Sequence, residues 1–199
     1  RNAEAVSVAG QLSIRWAERA VNQYLNKLME TENHDYVLAS DTDSLYVTLD
    51  SLIQKVGLTD TDKIIEFMDK VCEGKIQDVI DKCYGEMAEY VNAFQQKMVM
   101  KREVLAEVGI WTSKKHYILN VHNSEGVQYD EPKLKIMGIE AVRSSTPESC
   151  RNALKEAFKI MMNGTEDDVI NYIEGFKTKF KSLPTEEVSF PRSVKGLAK

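Results

Sequence analysis

The sequence has little cysteine and histidine and no long apolar run. Three of its 199 residues are cysteine and three are histidine. Cys72, Cys83 and Cys150 are an odd number, lie far apart and fall on apolar helical faces, so they predict reduced core residues of a cytosolic protein, not disulfides or metal ligands. His34 and His122 stand alone, which favours surface positions. No apolar run reaches membrane-spanning length and no signal-peptide pattern opens the chain, so no membrane contact is expected.

The sequence also lacks the excess of basic charge that is typical of general nucleic-acid binders. Its net charge is −5, and residues 1–100 hold 10 basic and 17 acidic residues, against 16 basic and 14 acidic in residues 101–199. Charge alone therefore does not indicate nucleic-acid affinity. Any duplex contact is expected from the second half, while the acidic first half can hold metal. A chain of this length with 43% hydrophobic residues can bury the core of one or two small domains.

Two aspartates lie in a polar stretch, residues 40–44, between two short apolar runs. The runs at 36–39 and 45–49 are rich in β-branched and aromatic residues and predict strands. The serine, threonine and aspartate between them have turn chemistry, which predicts a β-hairpin with Asp41 and Asp43 at its tip. Two carboxylates one residue apart repel each other. Mg²⁺ prefers carboxylate oxygens and would relieve that repulsion, so the pattern suggests a metal-holding hairpin.

The same spacing also fits a solvated polar turn. Asp-Thr-Asp recurs at residues 60–62, where apolar residues at helical spacing follow and a helix N-cap is predicted. The tripeptide alone is therefore not decisive, and its position between two strands carries the hypothesis. An EF-hand calcium loop is excluded, because Leu45 and Tyr46 occupy places that require an oxygen ligand and a glycine.

Helical periodicity dominates the rest of the first hundred residues. Residues 4–29 predict a long helix packed under the sheet. Its expected inner face is Ala9, Leu12, Trp16, Ala20, Leu25 and Leu28. A short helix is predicted over residues 63–72, with a break or bend at Gly74. An apolar core stripe then runs at helical spacing from Ile76 to Met98.

From Arg102 the period changes to that of strands and then returns to that of helices. Strands are predicted at 104–106, 111–112, 116–121 and 133–139, with a turn at 123–126. A capping box at residues 145–148 opens a helix that ends at Gly164, and Thr165 caps a second helix. The predicted fold is α+β, with a mainly antiparallel sheet and packed long helices followed by a helical portion from about residue 143.

Four stretches, in order along the chain, resemble motifs of family B DNA polymerases, and in particular of their T-even-phage replicative branch. They are Arg1–Ala5 with Gly10-Gln11, similar to the palm helix after the fingers; Ala39–Val47, similar to the Asp-Thr-Asp-Ser catalytic motif; Lys114–Tyr117, similar to the basic-aromatic motif that touches the primer–template duplex; and Glu131–Gly138 with Ser144–Pro147, similar to the passage from palm to thumb. Four ordered motifs across the chain are far more specific than one.

This resemblance implies a DNA-templated DNA polymerase that joins nucleotides with two Mg²⁺ ions. It makes residues 1–143 part of the palm and 144–199 part of the thumb. It assigns metal bridging to Asp43 and a weaker or indirect metal role to Asp41. Thr42, Ser44 and Glu103 receive supporting roles.

The resemblance also implies contacts with primer–template DNA and a deoxynucleoside triphosphate. Lys114–Tyr117 are predicted to sit on a strand. Lys114 would meet phosphate, Lys115 would reach the minor groove, and Tyr117 would position the primer end. The family usually has arginine where His116 stands, and the shorter, mostly neutral histidine puts that contact in doubt. Lys133 and Lys135 share one face of a predicted strand, where they either contact duplex phosphates or are solvated.

Several parts of a complete polymerase have no counterpart in this sequence. The upstream Ser-Leu-Tyr-Pro-Ser aspartate motif, the fingers helix and an exonuclease segment are not found. We therefore expect the chain alone to be inactive. It is either a piece of a longer polymerase or one chain of a split enzyme whose remainder is separate. The rival hypotheses are a non-catalytic duplex-binding module and an unrelated two-metal nucleotidyl transferase or cyclase.

Overall fold

The protein is α+β, as predicted, and is described here by a computed structural model covering residues 2–194 and 196. It divides into two compact units. The first runs to Leu105 and includes Ser124–Val127, and the second comprises Ala106–Asn123 and the chain from Gln128 onward. The palm and thumb ranges inferred above remain predictions.

The first unit is built on two long helices and a β-hairpin. Helix α1 (Asn2–Met29) packs against α4 (Gln77–Tyr90) and also contacts the antiparallel strands β1 (Val37–Asp41) and β2 (Ser44–Val47). Along the chain, two further helices follow the hairpin and precede α4: α2 (Asp50–Val56) and α3 (Thr61–Val71). Asp60 caps α3 by accepting a hydrogen bond from the Lys63 amide at 3.0 Å, which confirms the N-cap prediction.

The buried face of α1 matches the predicted one only in part: Leu25 is buried, and Leu12, Trp16 and Ala20 are half-buried against the core. Ser13, Ala17, Val21 and Leu25 are buried at four-residue spacing, whereas Ala9 and Leu28 are exposed. The small side chains at the centre of this face allow close helix packing, a feature that an apolar stripe alone does not reveal. The core around it is completed by Tyr36, Val37, Ile76, Ile80, Cys83, Tyr84 and Met87.

Of the break or bend predicted at Gly74, the break does not occur. A π-helical turn, Cys72–Ile76, contains Gly74 and joins α3 to α4, so the chain stays helical through this position. The predicted stripe to Met98 is also wrong beyond Tyr90, where α4 ends. Asn92 is left-handed (φ +52°), and Phe94 is fully exposed.

The second unit holds most of a three-stranded antiparallel sheet of order β3-β4-β5. Its strands are β3 (Val104–Ser113), β4 (His116–Ser124) and β5 (Val127–Met137). The two short strands predicted at 104–106 and 111–112 are thus one strand. His122 on β4 is buried and donates a hydrogen bond to the Glu107 carboxylate at 3.1 Å, so its predicted surface position is wrong.

Helices follow the sheet, as predicted. They are a 3₁₀ turn (Glu140–Val142), α5 (Glu148–Asn163), α6 (Glu166–Phe180) and a short α7 (Thr185–Val188). Ile118, Ala141 and Phe158 form a buried cluster in this unit. A capping box opens α6 at Thr165 and Asp168. The capping box predicted at residues 145–148 is wrong, because α5 begins at Glu148 and Pro147, at its N-cap, offers no side-chain acceptor.

The three cysteines are free thiols, as predicted. Cys83 is buried, and Cys72 and Cys150 are half-buried. Among the helices of the described residues, none is long and apolar enough to cross a membrane.

Candidate active site

The hairpin predicted from the polar stretch is present, and its tip carries both aspartates. Asp41 ends β1 and pairs with Ser44 at the start of β2, so Thr42 and Asp43 form a two-residue turn. The Asp43 amide donates to the Asp41 carbonyl oxygen at 2.6 Å. Thr42 has φ +53°, which is costly for a β-branched residue. The turn is therefore tight and held in an unusual backbone conformation.

The two hydroxyl residues of the motif both engage Asp41. Thr42 Oγ1 donates to the Asp41 carboxylate oxygen Oδ1 at 3.1 Å, and Ser44 Oγ donates to the Asp41 carbonyl oxygen at 3.1 Å. Asp41 is half-buried, while Asp43 is exposed. The local hydrogen bonds thus orient the first carboxylate and leave the second at the surface of the turn.

Two asparagines of α1 fasten the loop that leads into β1. Asn22 accepts from the Tyr36 amide at 2.8 Å and donates to the Asp35 carboxylate at 2.9 Å. Asn26 donates to the His34 carbonyl oxygen at 2.7 Å and accepts from the His34 amide at 2.9 Å. Sequence reasoning missed both residues. The available signal was a pair of asparagines four residues apart inside a helix, where asparagine is unfavourable.

The hairpin offers metal ligands of the right kind but not a full set. Carboxylate oxygens are the ligands that Mg²⁺ prefers. Over residues 2–194 and 196, however, no group of three or more histidine, cysteine, aspartate or glutamate side chains could hold a metal ion. Two carboxylates fit as part of a magnesium site, and they are too few to hold two ions unaided.

Glu103 belongs to the same unit as the hairpin and directly precedes β3. Its side chain is exposed, and its carbonyl oxygen accepts a hydrogen bond from the Glu125 amide at 2.7 Å. This bond fixes the backbone at the start of β3. The supporting role of the Glu103 carboxylate stays a prediction.

The two lysines of the basic-aromatic motif lie in a turn, not on the predicted strand. Lys114 and Lys115 connect β3 to β4, and both are exposed. Lys115 has φ +64°, a conformation that a strand does not allow. His116 Nδ1 donates to the Lys114 carbonyl oxygen at 2.9 Å, and Thr112 Oγ1 donates to the His116 carbonyl oxygen at 3.3 Å. The lysines are thus presented at the end of a hairpin braced by hydrogen bonds.

Tyr117 points away from solvent. It is 8% exposed, and its ring centroid lies 6.4 Å from that of Trp111 across the same hairpin. Such a tilted aromatic pair stabilises the two strands that flank the Lys114-Lys115 turn, called the lysine turn below.

Lys133 and Lys135 both lie on β5, as the alternation predicted. Lys133 Nζ is 3.9 Å from the centroid of the Tyr129 ring, a cation–π contact between residues four apart on the strand. Lys135 is half-buried. The Lys133 ammonium is therefore partly committed within the chain, which weakens the case for it as a phosphate contact.

Most of the elements described above fall within a region that matches a known protein family. A model of the divergent family B DNA polymerases matches residues 25–174, which include the aspartate hairpin, the lysine turn and β5. The chain belongs to this family. It is 40% identical to a DNA-directed DNA polymerase of Escherichia phage RB69 and 35% identical to one of Enterobacteria phage T4. Each alignment covers 100% of this chain and 23% of the relative, so this family B chain spans about a quarter of those polymerases.

Proposed function

We propose that this chain supplies the metal-holding hairpin and a primer–template grip of a DNA-templated DNA polymerase. The observation that carries the proposal is the pair of carboxylates at the tip of a tight antiparallel hairpin in a family B chain. Residues 1–143 would form part of the palm and residues 144–199 part of the thumb.

In the proposed reaction, the 3′ hydroxyl of the primer loses its proton to water, and its oxygen bonds to the α-phosphorus of the incoming deoxynucleoside triphosphate. The bond from that phosphorus to the β-phosphate oxygen breaks, and pyrophosphate leaves. Two divalent ions, taken here as Mg²⁺, supply activation of the hydroxyl and neutralisation of the leaving group when bound. Asp43 would hold both ions, and Asp41, oriented by the Thr42 hydroxyl, would complete or support the ligand set.

The lysine turn would contact the duplex product. Lys115 can donate to the minor-groove acceptors N3 and O2, which all base pairs display, so it can sense pair geometry without reading sequence. Lys114 would meet a phosphate. Since Tyr117 is largely buried, its share in placing the primer end is limited to its exposed part.

The remainder of the polymerase is a required partner in this proposal. The two hairpin carboxylates are too few for a two-ion site, and the relatives are about four times as long as the aligned region. We therefore expect no primer extension by the chain alone, and activity once the remaining polymerase segments are supplied, in the same chain or as a separate one. By its similarity to phage polymerases, the enzyme would work in the host cytoplasm.

The test is primer extension by the completed polymerase with Asp43→Asn. The change removes the charge of the proposed bridging ligand but preserves its shape. We expect incorporation to fall by at least about 100-fold, since even partners that only support a metal ligand cost 10–100-fold. Affinity for the primer–template should change little.

The chain contains its own control in the second Asp-Thr-Asp. Asp62→Asn alters an exposed aspartate in the same tripeptide at the start of α3, and it should leave incorporation unchanged. Normal turnover by Asp43→Asn would refute the metal assignment. If that variant also binds the duplex normally, the result would favour a duplex-binding role for this chain without a part in catalysis.

A further inference from the structure

Gly138 directly follows β5 and lies against the lysine turn. Its φ is +72°, in the left-handed region. A Cβ at this position would overlap the Lys115 carbonyl oxygen and would lie 2.9 Å from His116 Cδ2 and 3.1 Å from His116 Cγ. Only a hydrogen fits between the backbone at residue 138 and this turn.

Two other glycines separate the effect of backbone conformation from that of the contact. Gly57 (φ +74°) and Gly126 (φ +84°) adopt the same left-handed backbone, yet a Cβ at either would meet nothing within 4 Å. A side chain at any of the three would strain the backbone. Only at Gly138 would it also press on the residues that carry the lysines.

The contact matters because it adds to the bracing of the turn. Hydrogen bonds already link Thr112 to the His116 carbonyl oxygen and the His116 ring to the Lys114 carbonyl oxygen. Gly138 packs against the carbonyl group of Lys115, the residue between Lys114 and His116. Gly138 is itself held, since its carbonyl oxygen accepts from Arg143 Nη2 at 3.3 Å. A side chain at 138 would overlap the Lys115 carbonyl oxygen, so the Lys115 peptide group would have to move. This movement costs free energy, because the backbone around it is closely packed.

We propose that Gly138 is a positioning residue for primer–template binding: its missing side chain lets the Lys114-Lys115 turn adopt the backbone that presents both ammonium groups to DNA. This inference rests on the proposed function of the lysine turn. Gly138 follows the end of β5, and its effect on DNA binding would pass entirely through the lysine turn between β3 and β4.

The test compares Gly138→Ala with Gly57→Ala in the full chain. In the DNA-free protein, amide NMR resonances of residues 112–117 should shift in Gly138→Ala and stay in place in Gly57→Ala, although both variants carry the left-handed strain. Gly138→Asn is the second variant, because asparagine tolerates positive φ and still introduces the Cβ. It should shift the same resonances at a smaller loss of stability.

The second measurement is affinity for a primer–template duplex in a double-mutant cycle with Lys115→Ala. We expect Gly138→Ala and Lys115→Ala each to weaken binding by about 10-fold. In the Lys115→Ala background, Gly138→Ala should weaken binding further by clearly less than about 10-fold, since it can then act only through Lys114. A merely structural loss would add to the lysine effect.

The outcomes distinguish the two proposals. Undisturbed turn resonances in both Gly138 variants, or fully additive effects on duplex affinity, would overturn the positioning role. If Lys115→Ala leaves duplex affinity unchanged, the proposed function of the lysine turn fails, and the positioning of DNA-binding lysines fails with it. Shifted turn resonances would then record only a packing contact.

Discussion

Arg102 forms an ion pair with Asp69 across the first unit, linking the segment before β3 to the end of α3. Arg102 Nη2 contacts the Asp69 carboxylate and also lies 3.2 Å from Glu73 Oε1. The Arg102 side chain is only 9% exposed. One buried guanidinium thus serves two carboxylates on neighbouring helical turns, immediately before the predicted supporting residue Glu103.

Removing this guanidinium should destabilise the protein. Arg102→Ala leaves Asp69 and Glu73 close together without a cation and deletes buried side-chain packing. Both carboxylates keep some access to water, so we expect a loss of about 2 kcal/mol in the free energy of unfolding rather than the larger cost of a fully buried pair. Urea unfolding followed by circular dichroism measures it. Lys70→Ala, which breaks the exposed Lys70–Glu66 pair, should cost less than about 0.5 kcal/mol, and an equal loss in both variants would contradict the argument.

The thiols of Cys72 and Cys83 should be unreactive in the native protein. Burial raises the pKa of each from an ordinary value of 9.0 to about 11, and Arg102 only partly opposes this at Cys72. A rise of two pKa units lowers the thiolate fraction at pH 8 about 100-fold, and thiolate is the reactive form. Reaction with a chromogenic disulfide should be slow in variants that retain one of these cysteines and fast in denaturant.

The same raised pKa values make a prediction about stability at high pH. The native state holds these thiol protons more tightly than the unfolded state does. Their contribution to the free energy of unfolding is therefore complete below about pH 9 and is lost as the pH rises towards about 11. Cys83→Ala should flatten that part of the pH profile, and an unchanged slope would show that Cys83 does not titrate there.

What could be predicted from sequence follows the range of the forces involved. The hairpin with Asp41 and Asp43 was predicted correctly, because alternation and turn chemistry act over a few neighbouring residues. Lys114 and Lys115 were predicted on a strand, whereas they form a turn in which Lys115 has a positive φ and its carbonyl oxygen lies against Gly138, more than twenty residues away. A pattern within one segment carries no information about such a contact.

The errors along α1 and beyond α4 have a related cause. An apolar periodicity shows which residues avoid water, but not what covers them. On α1 the buried face includes Ser13 and Ala17, and a search for large apolar side chains overlooks a serine. Beyond Tyr90 the apolar spacing continues in the sequence although the helix does not, since Asn92 turns the backbone into the left-handed region.

Thr42 allows the stability of the hairpin to be separated from its proposed chemistry. Its positive φ costs a β-branched residue about 1 kcal/mol, which glycine does not incur, so Thr42→Gly should leave the melting temperature unchanged or raised. Thr42→Gly also deletes the hydroxyl that donates to Asp41 Oδ1, and it should lower incorporation by the completed polymerase by about 10-fold. Thr42→Ser keeps the hydroxyl and should extend primers at nearly the original rate. Thermal melting and single-nucleotide incorporation decide the matter: equal rates in the glycine and serine variants would show that the hydroxyl does not orient Asp41 for catalysis.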